Sequence, residues 1–153
     1  MYSKAEASRL NQEFWTVFGQ YMALQPSSEG ERINWINYKT GIKNLFFKME
    51  VDQKFARISI HINHSDLATQ ESLYEKLSGY KTILQSIIKE EWEWELQTAD
   101  QYGKIFSQIY GTLPNVNIHN KSDWPAIISF LKPRIIALDE FWEIAKDNFQ
   151  IFW

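Results

Sequence analysis

The sequence predicts an α+β fold: a mostly antiparallel sheet of about five strands with helices packed on one face, in the order α-β-β-β-α-β-β-α. Two observations carry this. In the middle of the chain Leu45, Phe47, Met49 and Val51 alternate with Lys48 and Glu50, and Ala56, Ile58, Ile60 and Ile62 alternate with Arg57, Ser59, His61 and Asn63, the period-2 pattern of half-buried strands. Long segments near both ends instead repeat apolar residues every three and four positions, the period of an amphipathic helix. Short connections between neighbouring strands favour antiparallel pairing.

Taken in order, Ser3 and Glu6 have capping-box spacing. Leu10, Phe14, Val17, Phe18 and Tyr21 form the first apolar stripe, ending near 22–24. Pro26 and Gly30 mark a loop before a first extended segment that starts at Ile33. The two alternating strands follow as a hairpin. Ser65 or Asp66 caps a second helix, with Leu73, Leu77, Tyr80, Leu84 and Ile87 as its stripe through about Lys89. Trp92, Trp94 and Leu96 alternate with Glu93, Glu95 and Gln97 as a fourth strand, and KIFSQIY at 104–110 forms a fifth. Ser122 before Asp123-Trp124-Pro125 starts a long last helix, with a kink or brief break expected at Pro133.

With 153 residues and 44% hydrophobic content, the chain fits a single domain over 1–153 that buries roughly 70% of its unfolded surface without a metal or disulfide. Cysteine is absent, which removes disulfides, thiol catalysis and thiolate metal sites. The N-terminus is charged rather than apolar, and no run approaches the ~18 apolar residues of a spanning helix, so a cytoplasmic protein off the membrane is expected. The formal net charge is −3, but six basic residues against two acids between Arg32 and Arg57 make that stretch +4 and leave −7 elsewhere. The predicted hairpin region is therefore basic within an acidic chain.

Catalytic motifs are missing. Asp52-Gln53-Lys54 has the D-x-K spacing of a nuclease metal site but sits in the expected hairpin turn, and Lys48-Met49-Glu50 is E-x-K reversed. His61, His64, Glu50, Glu93 and Glu95 offer metal-ligand chemistry without a spacing that fixes two ligands on one element. Lys39-Thr40-Gly41-Ile42-Lys43 lacks the spacing of a phosphate-binding loop, and His119 has no nucleophile in a recognisable context. No catalytic residue, metal site or cofactor is predicted.

FW-x2-F-x2-YM at 14–22, INWINYKTGIKNLFFKME at 33–50, ARISI at 56–60, EEWEWEL at 90–96 and DWPAIISFLKPRIIALDEFW at 123–142 together resemble an uncharacterised bacterial family, domain of unknown function 4268. Its members occur alone or behind restriction-endonuclease-like domains. The resemblance implies a nucleic-acid or defence setting, supplies no catalytic residues, and implies an acidic side chain where His61 stands.

The reading that joins charge and composition is a non-catalytic binding module for nucleic acid, with Lys39, Lys43, Lys48 and Arg57 on phosphates and Trp35 and Tyr38 as stacking rings. The alternatives are a homodimeric protein-interaction module using the same hairpin edge and a divergent restriction-nuclease-like enzyme.

Overall fold

The computed structural model describes residues 2–153. Helix α1 spans Lys4–Met22 and starts as its spacing predicts: the Ser3 hydroxyl accepts the Glu6 amide and donates to the Glu6 carboxylate. Its buried stripe is Leu10, Phe14, Phe18 and Met22, while Tyr21 turns outward at 59% exposure.

The sheet has four strands rather than about five: β1 Leu45–Val51, β2 Phe55–Ile62, β3 Glu93–Ala99 and β4 Ile105–Pro114. They lie in the order β1-β2-β4-β3, every neighbour antiparallel. The expected first extended segment is irregular. Asn34 Oδ1 accepts the Asn37 amide to close a turn, and the segment is held by side-chain bonds instead of a strand ladder. Trp35 Nε1 donates to the Gln25 carbonyl, Tyr38 Oη donates to Asp139 Oδ1, and Trp142 Nε1 donates to the Thr40 carbonyl.

The alternation in β1 and β2 sorts as predicted. Leu45, Phe47, Ala56, Ile58, Ile60 and Ile62 are buried on one face together with Ile109 of β4. Helices cover that face: α2 Leu67–Ser78, α3 Lys81–Ile88 and α4 Trp124–Ala145. The single helix expected after β2 is thus two, because Gly79 ends α2 and Tyr80 leaves helical geometry before α3 begins. The break lets Tyr80 place its ring against Phe141 and Phe149.

Helix α4 lays Ile127, Leu131, Ile135, Leu138 and Trp142 into the core. Asn120, rather than Ser122, caps the short 3-10 turn Lys121–Asp123 that leads into it. The helix runs on through Pro133; just beyond it, Arg134 Nη1 donates to the Phe130 carbonyl and Nη2 pairs with Glu90 at 2.7 Å. A further 3-10 stretch, Lys146–Phe152, tucks Phe149 under the core.

β3 departs from simple alternation. Its register against β4 shifts between Glu95 and Thr98, where Gln97 adopts φ 52° and donates its amide to Ser107 Oγ at 2.9 Å. This bulge leaves Leu96 at 41% exposure instead of extending the Trp92 and Trp94 face.

Trp92 fits because the residue beneath it is Gly111. A Cβ there would stand 2.6 Å from Trp92 Nε1 and about 3 Å from two further ring atoms, closer than atoms pack. Gly111→Ala is therefore expected to destabilise the fold by about 1–3 kcal/mol through overpacking. Chemical denaturation measures it, and a variant as stable as the wild type would show that the indole has room to move.

Candidate functional site

Antiparallel sheets are commonly covered on one side and open on the other, and among the described residues no helix lies on the second face. Because β1, β2 and β4 are in fixed register, this face is a grid. One cross-strand row is Phe46, His61, Gln108 and Glu95; the next is Lys48, Ser59, Tyr110 and Glu93; the third is Glu50, Arg57 and Thr112. Phe46 is 44% exposed. Phe106 stacks on His61 with centroids 4.8 Å apart at 20°.

Arg57 is held in place rather than loose. Its guanidinium lies 4.6 Å from the Phe55 ring and 4.3 Å from the Tyr110 ring, and Nε donates to Thr112 Oγ1 at 3.2 Å. Its terminal nitrogens remain available on the open side. Three of the acids on or beside the face have a partner inside the chain. Glu50 faces Lys48 at 3.8 Å, Glu95 accepts from Gln108 at 2.9 Å, and Asp100 accepts the Tyr102 and Lys104 amides. Glu93 lies opposite Tyr110 across the ladder, and burial, then the neighbouring Glu93 and Glu95, hold that phenol above its ordinary value.

The column formed by Ser59 and His61 of β2 with Asn63 just beyond its end is unusual. Ser59 Oγ, His61 Nδ1 and Asn63 Oδ1 are buried and make no hydrogen bond among the described residues, whereas most buried polar atoms are paired. Two cavities meet at this column. One of about 340 Å³ lies over the face, with Arg57, Lys104 and Phe106 in its wall, and one of about 310 Å³ lies beside Phe46 toward the β1 edge. Lys48, His61 and Asn63 line both.

The residues that sequence reasoning selected divide between this face and elsewhere. Lys48 and Arg57 stand on it. Trp35 does not: it is 2% exposed, packed in the core with its indole N–H spent on Gln25, so its ring offers no stacking surface. Tyr38 is half-buried, and burial, then its bond to Asp139, hold its hydroxyl above the ordinary tyrosine value. Lys39 and Lys43 are exposed on the turn before β1, where Thr40 Oγ1 donates to the Leu45 carbonyl.

Lys39 lines a separate cleft of about 480 Å³ between the 27–41 loop and α4. There Asp139, 4% exposed, accepts the Ser28 amide at 2.7 Å and the Tyr38 hydroxyl. Lys146 bridges Glu29 at 3.5 Å and Glu143 at 3.1 Å, and the closeness of the two carboxyls lowers the first and raises the second. These groups satisfy one another and tie the loop to the helix.

The nuclease-like Asp52 is engaged in its turn, its Oδ1 accepting the Lys54 and Phe55 amides. His64 spends Nδ1 on the Asp66 amide at the start of α2. Among the described residues no three His, Asp or Glu side chains converge as a cation would require, and no helix is long and apolar enough to cross a membrane.

A family model matches the chain over residues 10–146, nearly its whole length. The chain belongs to the DUF4268 family, a domain of unknown function. No curated protein and no solved structure matches it. For this DUF4268 chain the site therefore rests on its own geometry. Phe46, Phe106, Tyr110 and Lys104 were not selected from the sequence, yet the alternation around them contains the signal. Phe46 shares parity with Lys48 and Glu50, and Phe106 and Tyr110 fall opposite Ile105, Ser107 and Ile109.

Burial, then the charges of Lys48 and Lys104, lower His61 from 6.5 to about 4. Since its folded value lies below its unfolded value, the unfolded chain takes up the proton first as pH falls. Stability is then lost between about pH 6.5 and 4. His61→Gln should flatten the pH dependence of denaturation in that window. An imidazole resonance titrating near 6.5 by NMR would contradict the burial argument.

Proposed function

We propose that this DUF4268 chain is a non-catalytic binding module that takes single-stranded nucleic acid across its open sheet face. The observation that carries the reading is the grouping of the Phe46, Phe106 and Tyr110 rings with Lys48, Arg57 and Lys104 on one helix-free surface. Bases of a single strand stack on aromatic side chains without regard to sequence, while cations follow the phosphates. Glu93 and Glu95 border the face along β3, so the favourable path runs over β1, β2 and β4 rather than onto the far edge.

The affinity of a labelled single-stranded oligonucleotide, followed by fluorescence anisotropy across a salt series, tests this. Three neutralised phosphates give a log–log slope of roughly −2. Lys48→Gln with Lys104→Gln should flatten it to roughly −0.7, and Phe106→Ala should weaken binding by about 1–3 kcal/mol. Loss of the slope on changing Lys39 and Lys43 instead would move the site to the turn before β1. No binding at low salt would remove the nucleic-acid reading.

A further inference from the structure

The outer edge of β1 makes a second surface, independent of the open face. At the two ends of the β1–β2 pairing, the Asn63 amide donates to the Asn44 carbonyl and the Asp52 amide to the Phe55 carbonyl. Hydrogen-bonded pairs alternate along an antiparallel ladder, so with this register they fall at Phe46/His61, Lys48/Ser59 and Glu50/Arg57. The amides and carbonyls of Phe47, Met49 and Val51 therefore point away from β2. β1 ends the sheet, and among the described residues no other strand pairs with it. Only Leu45, at its start, is capped, by the Ile42 carbonyl and the Thr40 hydroxyl.

An open groove of about 870 Å³ runs beside this edge, walled by Gln12, Trp15 and Thr16 of α1 and by Ile36, Met49 and Val51. Unpaired edges are templates for another strand, and a groove with apolar walls adds side-chain burial to the backbone bonds.

We propose that the occupant of this edge is β1 of a second copy of the chain, paired antiparallel about a two-fold axis through Met49. That register centres the pairing on Met49 against the partner's Met49 and brings Phe47 opposite the partner's Val51 at either end, where Phe47 is 3% exposed and the neighbouring 36–38 segment must shift for the backbone bonds to form. It also sets Lys48 directly opposite the partner's Glu50, twice. Within one chain these two charges are exposed and only loosely paired, at 3.8 Å, and are free to exchange partners. Cross-strand opposite charges in this close, non-hydrogen-bonded position favour the pairing and like charges oppose it. The sequence of the edge is thus complementary to itself in charge. Met49 and Val51, half-buried in the single chain, gain cover from their symmetry mates. Two four-stranded sheets become one of eight strands, with the open faces side by side.

Light scattering on a sizing column, across a concentration series at low salt, reads the result directly. The mass should rise from 18.2 kDa to twice that. Met49→Pro removes only an outward-facing amide, a change edge strands tolerate, and should leave a folded monomer by circular dichroism.

Lys48→Glu and Glu50→Lys should each weaken self-association by about tenfold, and an equimolar mixture of the two should recover a heterodimer. The mixture decides the matter even if the proline variant fails to fold. A mass that stays at one chain throughout would overturn the proposal, as would a dimer indifferent to both charge reversals. The readout is mass alone, so it stands or falls separately from nucleic-acid binding.

Discussion

Strand β2 is paired on both sides, so its side chains have only the two faces of the sheet to enter. That constraint organises the molecule. Ala56, Ile58, Ile60 and Ile62 are fully buried, and burial of each isoleucine side chain contributes about 1.5–3 kcal/mol. Every helix packs toward that side. The other parity is then committed to the opposite face whatever its chemistry, which is why Ser59, His61 and Asn63 stand in a column there. A one-residue slip would exchange the two sets, and the tight turn fastened by Asp52 fixes the register at one end.

The second organising contact is the anchoring of the 25–44 segment to α4. Asp139 holds the Ser28 amide and the Tyr38 hydroxyl, and Trp142, one turn on, holds the Thr40 carbonyl. A hydrogen bond to a charged group contributes about 1.5–3 kcal/mol, enough to order a loop that has no ladder of its own. Trp35 and Tyr38 are structural as a result. Aromatic rings in a basic stretch here mark a fastening, and the open rings lie elsewhere.

How far the fold can be read in the sequence follows from the range of each interaction. Caps at Ser3 and Asp66 and the alternation of β1 and β2 depend on residues a few positions apart, and those features are as expected. The segment from Ile33 looks extended because its apolar residues are spaced like a strand's. What prevents a strand is Asp139, 101 residues away from Tyr38. The bulge at Gln97 depends on Ser107 across the ladder, and the break at Gly79 goes with the packing of Tyr80 against Phe141 and Phe149. For the site, Lys48 and Arg57 follow from strand parity. Phe46, Phe106 and Tyr110 follow from the same parity once the uncovered face is known, which requires knowing that all helices lie on the other.

The proposed ligand surface is the open face, where rings, fixed cations and unpaired polar atoms adjoin one another. Titration of a short single-stranded oligonucleotide into isotopically labelled protein, followed residue by residue in NMR spectra, tests this most directly. Shifts are expected to concentrate at Phe46, Lys48, Arg57, His61, Phe106 and Tyr110 while α4 and the 27–41 loop stay unchanged. Shifts confined to the cleft around Asp139, or spread evenly over the basic turn before β1, would contradict it.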